Sequence, residues 1–92
     1  MIIGFHHKGL ETLYRTDSAR GVQAAHAPKL SRLLAALDAA TSPAELNQPG
    51  YKLHPLKGAL KGYWSMWVNG NWRVTFLFVG TDVDRVDYRD YH

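Results

Sequence analysis

The chain has no cysteine. That excludes disulfide staples, thiolate nucleophiles and the sulfur ligands of most structural zinc sites. Its five histidines do not supply the missing metal chemistry, because none stands in an H-E-x-x-H spacing. His6 and His7 are adjacent, so on a strand they face opposite ways. No phosphate cradle of the Walker type occurs either, since Gly58-Ala59-Leu60-Lys61-Gly62 lacks the required Gly-Lys-Ser/Thr ending. No apolar run approaches the roughly 18 residues of a membrane span. The start, Met1-Ile2-Ile3-Gly4-Phe5-His6-His7-Lys8, turns polar too early for a signal peptide. These absences predict a cytoplasmic protein with no metal, no cofactor and no membrane partner. Repeats, linkers and low-complexity tracts are also missing.

What is present is a foldable and basic chain. Its 92 residues make one domain, 1–92, and an apolar content of 46% with three Trp, five Tyr and three Phe argues against disorder. The net charge of +3 is unevenly spread. Nine Lys/Arg face four Asp/Glu through residue 81, whereas two Arg face four Asp (Asp82, Asp84, Asp87, Asp90) from 82 onward. A basic body with an acidic last strand hints at a polyanionic partner such as nucleic acid.

The hydrophobic pattern divides the chain. Ile2, Ile3 and Phe5 predict a short strand, and Leu10, Leu13 and Tyr14 mark one face of a helix over about 7–15. Leu30, Leu33, Leu34 and Leu37 recur at i, i+3, i+4 and i+7, which predicts a core-facing helix from Pro28 to Ala40. Ser42-Pro43-Ala44-Glu45 reads as a capping box opening a short helix that Pro49-Gly50 ends. The period then changes to two. Residues 63–68 and 71–79 flank Asn69-Gly70, a type I′ hairpin signal, and a third strand follows over about 82–89. The class is α+β, with two N-terminal helices on one face of a small, mainly antiparallel sheet. A two-residue Asn69-Gly70 turn pairs Met66 with Arg73 and Trp67 with Trp72. It predicts a core face of Tyr63, Trp67, Trp72, Val74, Phe76 and Phe78, and an open face with Trp64, Met66, Arg73 and Thr75.

One segment, Tyr51-Lys52-Leu53-His54-Pro55-Leu56-Lys57-Gly58, carries chemistry that secondary structure does not demand. Pro55 and Gly58 keep it extended or turning, so His54 and Lys57 are displayed rather than packed. The last strand brings Asp90, Tyr91 and His92 towards the same open face as Arg73. Two imidazoles with Lys and Arg suit metal-free cleavage of RNA, in which the 2′-hydroxyl is the nucleophile. One group takes its proton, another protonates the leaving 5′-oxygen, and the cations stabilise charge on the phosphorane. Asp90 can orient or charge a neighbouring histidine. A competing reading is a non-catalytic RNA-binding module that stacks bases on the aromatic, basic sheet face. A third is an interaction protein whose aromatics are all core.

Taken together, Tyr51 to Gly58, Gly62-Tyr63-Trp64-Ser65, Asn71-Trp72-Arg73-Val74-Thr75-Phe76 and the ending Asp90-Tyr91-His92 resemble the HigB-type toxins of bacterial toxin–antitoxin modules, within the RelE-like superfamily. The resemblance spans the chain. It implies a microbial ribonuclease-like fold and ribosome-dependent endoribonuclease activity on mRNA in the ribosomal A site. It also implies inhibition by a helix-turn-helix antitoxin (HigA-like), and contact with operator DNA only through the toxin–antitoxin complex. By position, His54, Asp90, Tyr91 and His92 match residues implicated in cleavage. Lys57 and Arg73 match groups that hold the phosphate. Which histidine is base and which is acid stays open.

Overall fold

The two leucine-rich stretches form the two helices of the computed structural model, which describes residues 1–90. The expectations placed on Tyr91 and His92 lie outside the described residues. Helix α1 spans Lys8–Thr16, and His7 caps it by accepting the Leu10 amide on Nδ1 at 3.0 Å. Asp17 ends it in a left-handed conformation (φ 59°) that returns its amide to the Leu13 carbonyl. Helix α2 spans Ala27–Ala39, with Pro28 in its first turn, and it buries the predicted stripe Leu30, Leu33, Leu34 and Leu37. The segment leading into α2 is tied to α1 by glycine: a Cβ on Gly9 or Gly21 would overlap the other's backbone. The capping-box pattern at Ser42 is realised one residue earlier. Glu45 accepts from the amide and hydroxyl of Thr41, at 3.1 and 2.9 Å, over a 3₁₀ turn spanning Pro43–Leu46.

The four strands are β1 (His54–Pro55), β2 (Tyr63–Asn69), β3 (Trp72–Val79) and β4 (Asp82–Asp90). They form one antiparallel sheet in the order β1-β2-β3-β4. The N-terminal residues add parallel bridges to β4, Ile2 to Val83 and Phe5 to Val86. The helices cover one face. The core there joins Leu10, Leu30, Leu33 and Leu37 to Met66, Val74, Phe76, Val83, Val86 and Tyr88, all nearly or fully buried. Tyr88 packs its ring on Trp72 (centroids 4.5 Å apart) and shares a 2.6 Å hydrogen bond with Nδ1 of the buried His26.

The predicted hairpin register is off by one residue on β2. Trp67 faces Arg73, Met66 faces Val74 and Asn69 faces Trp72, with a bulge between Trp67 and Asn69. The tight turn is therefore Gly70-Asn71, with Gly70 in the left-handed region at φ 54°. A slip of one flips a strand's side chains. Met66 and Val68 move into the core, while Tyr63 and Trp67 move to the open face with Arg73. The physical reason is the even set Trp64, Met66 and Val68, which fills the core, while Trp67 finds partners outside it. Its indole N–H donates to the Gly70 carbonyl at 3.0 Å, and two ammonium groups lie over its ring.

Asp38 on α2 fastens this assembly at the N-terminus. Its Oδ1 accepts from the Ile2 amide at 3.0 Å and the Tyr14 hydroxyl at 2.8 Å. These two bonds, the Ile2 amide first, hold its pKa below the ordinary aspartate value. A carboxylate with a depressed folded-state pKa contributes stability above the unfolded value, near pH 4, and loses it as pH falls through the folded one. Asp38→Asn is therefore expected to lower the Tm at pH 7 and to flatten its decline as the pH falls below about 4. Parallel slopes for both proteins in thermal melts across that range would refute the assignment.

Candidate active site

The sheet face opposite the helices carries a grid of polar groups that follows from the register. One row crosses all four strands: His54 faces Ser65, Ser65 faces Thr75 and Thr75 faces Asp87. The next row runs Trp67, Arg73, Arg89. A third begins with Tyr63 and Leu77 and reaches β4 at a second bulge, where Arg85 adopts φ 53° and donates to the Tyr63 hydroxyl at 3.3 Å. That hydrogen bond raises the Arg85 pKa further and keeps the guanidinium over the face.

His54 and Arg73, singled out from sequence, thus share one face. His54 is exposed on the two-residue edge strand, and its Nδ1 lies 3.2 Å from the Lys52 carbonyl. Arg73 is half-buried, and its NH1 donates to the Gly70 and Trp72 carbonyls at 2.9 and 3.0 Å. A guanidinium has five donors in a fork, so this tether leaves capacity for an anion. Two strand spacings and two residues separate the Cα atoms of His54 and Arg73, roughly 12 Å. Lys57 follows β1 and is exposed at the start of a 3₁₀ turn over Gly58–Leu60. Asp90 closes β4 opposite Trp72, so alternation assigns it to the helix side of the sheet, one residue beyond Arg89.

The face is electropositive for a structural reason. Arg73 and Arg89 are direct cross-strand partners, an arrangement that costs free energy when both are charged. Asp87 offsets one of them, accepting from Arg89 Nε at 3.0 Å and from the Tyr88 amide at 2.8 Å. These rows thus hold two guanidiniums, Arg73 and Arg89, to one carboxylate, Asp87. Between this row and His54 lie the Ser65 and Thr75 hydroxyls. Both residues are buried, and neither hydroxyl has a hydrogen-bond partner among the described residues. Buried polar groups left unpaired are rare and mark places where a ligand or water completes the set.

Sequence reasoning placed Thr75 on this face but missed Ser65, Asp87, Arg89 and Trp67 as parts of it. Ser65 and Thr75 carried a signal, being hydroxyls placed at period two inside an otherwise apolar hairpin. Asp87 and Arg89 needed the second bulge, which no residue type in β4 announces. Two other histidines have local duties: His7 caps α1 and His26 is buried against Tyr88. No group of three or more His, Asp or Glu side chains placed to hold a metal occurs among the described residues. No helix among them is long and apolar enough to cross a membrane.

A family model described as the RelE-like toxin of the type II toxin–antitoxin system HigB matches residues 3–92. A protein of Proteus vulgaris named Endoribonuclease HigB is 47% identical over 92 residues, covering 100% of both chains. The chain belongs to the HigB-like family of RelE-like toxins of type II toxin–antitoxin systems.

Proposed function

We propose that this chain is the endoribonuclease of its module and cleaves mRNA in the ribosomal A site by metal-independent acid–base chemistry. The observation that carries the reading is the sheet face on which an exposed imidazole, His54, and a tethered guanidinium, Arg73, flank buried hydroxyls that have no hydrogen-bond partner among the described residues. The full-length similarity to a protein named as an endoribonuclease supports it. In the reaction the 2′-hydroxyl loses its proton to a base and its oxygen attacks phosphorus. The bond to the 5′-oxygen breaks, that oxygen takes a proton from an acid, and a 2′,3′-cyclic phosphate remains. His54 and His92 handle the protons, and Asp90 and Tyr91 orient His92, their chain neighbour; Asp90, on the helix side of β4, does not reach His54 across the sheet. Arg73 and Lys57 bind the phosphate and stabilise the negative charge that grows on it in the transition state.

Membership of a type II module gives the chain an antitoxin partner. We assign it a helix-turn-helix, HigA-like antitoxin, operator contact only within that complex, a cytoplasmic location and a single toxin domain over residues 1–92. Dependence on the ribosome is part of the same proposal and is supported by membership of the RelE-like toxin family. The test is cleavage of one mRNA with and without programmed ribosomes. Cuts are expected at A-site codons, with at least about a hundredfold slower cutting of free RNA, the scale on which positioning acts. Raising salt from about 50 to 200 mM should weaken engagement steeply. Equal cutting of free RNA would mark an ordinary small ribonuclease, and binding without any cleavage would favour the stacking module instead.

A further inference from the structure

Lys52 departs from the chemistry expected of its residue type in two ways. It is a non-glycine residue in the left-handed region, at φ 48°. A side chain there is strained and persists only where its surroundings hold it. Those surroundings are visible. Lys52 Nζ lies 4.3 Å from the centroid of the Trp67 ring, and Lys29 Nζ lies 4.2 Å from the same centroid. Lys29 also donates to the Gly50 carbonyl at 3.2 Å, and the Trp67 amide donates to the Tyr51 carbonyl at 2.7 Å. Residues 50–52 are thus gripped from α2 by Lys29 and from β2 by Trp67, with two cation–π contacts adding to the hydrogen bonds. Two like charges share one indole, so the arrangement is unfavourable by charge alone. Burial, then the charges of Arg32 and Lys52, pull the Lys29 pKa down.

The result of this grip is the position of one oxygen. The Lys52 carbonyl sits 3.2 Å from His54 Nδ1. A carbonyl only accepts, so the nitrogen facing it must carry the hydrogen. In the neutral ring that leaves Nε2 with the open lone pair. We propose that Lys52 is a positioning residue, whose carbonyl, set by the left-handed backbone and the Trp67 clamp, holds the Nδ1–H tautomer of His54 and makes Nε2 the proton-accepting atom. The inference rests on the proton-transfer reading of His54 given above and adds to it which nitrogen acts and what selects it. Lys52 touches no reacting atom in this scheme. Its side chain works through Trp67 and its main chain through the imidazole.

The experiment reads the tautomer directly, from the two ring-nitrogen shifts of His54 in protein labelled with ¹⁵N-histidine, above the pH at which the ring is neutral. An imidazole free in water favours the Nε2–H form. The wild-type protein is expected to show His54 mainly as Nδ1–H. Lys52→Gly removes the clamp, and glycine tolerates the backbone conformation without cost. Trp67→Leu removes the indole from the other side. Both are expected to shift His54 towards Nε2–H and to lower kcat about three- to tenfold with KM little changed, since the rate scales with the competent fraction. A His54 that is Nε2–H in the wild-type protein, or a tautomer ratio unmoved by both substitutions, overturns the proposal. If the tautomer behaves as stated but His54→Ala cleaves like wild type, the catalytic reading fails and the positioning role falls with it.

Discussion

His54→Ala is expected to slow ribosome-bound mRNA cleavage by about 10²- to 10⁴-fold, the range a positioned proton-transfer group contributes. The imidazole is exposed on a two-residue edge strand, and its hydrogen bond to the Lys52 carbonyl is local. Nothing in the fold depends on the ring, so the stability change is expected to stay within about 0.5 kcal/mol. Loss of activity and retention of fold are therefore separable. Single-turnover cleavage on programmed ribosomes measures the first and a thermal melt the second. His54→Ala with less than about a threefold effect would remove the imidazole from the mechanism, since general acid–base catalysis is worth far more than that. The same substitution with a large fall in Tm would instead assign His54 to the fold.

Why His54 was legible in the sequence, and Arg89 was not, is a matter of range. His54 sits between Leu53 and Pro55, and Pro55 forbids helix locally. Display of the imidazole is thus decided by two neighbours. The helices were legible for a similar reason: the leucines of α2 recur at 3.6-residue spacing, and Pro28 marks its start. The hairpin was legible in kind but not in register. Asn69-Gly70 is a strong turn signal, yet the turn formed one residue later because Val68 is bulged and Met66 is drawn into the core. Burial of an even-numbered apolar set overrode turn chemistry. That slip carried Trp67 to the open face, and with it the clamp on Lys52. The Arg73–Arg89 pairing and the Ser65–Thr75 row depend on how β2, β3 and β4 align. No local signal encodes the Arg85 bulge, since its residue type does not favour φ 53°.

Arg73→Ala is expected to lower the cleavage rate by about 10²- to 10³-fold, the loss seen when one donor to a developing oxyanion is removed. Stability should move the other way or not at all. Arg73 lies directly opposite Arg89, and like charges across a strand pair are unfavourable. Removing one relieves that repulsion, while the lost bonds to the Gly70 and Trp72 carbonyls are partly exposed and contribute little. A wild-type or slightly raised Tm with a collapsed rate is thus the signature of a charge kept for the substrate. Arg73→Lys separates charge from shape. A lysine keeps the charge but not the planar fork that grips two phosphate oxygens while bonded to the turn. We therefore expect Arg73→Lys to recover only part of the loss, with the deficit in kcat rather than KM because the contact strengthens as charge builds on the phosphorane. Full recovery by lysine would reduce Arg73 to a point charge that steers RNA. An alanine variant that cleaves normally would leave the Arg73–Arg89 repulsion without a functional reason.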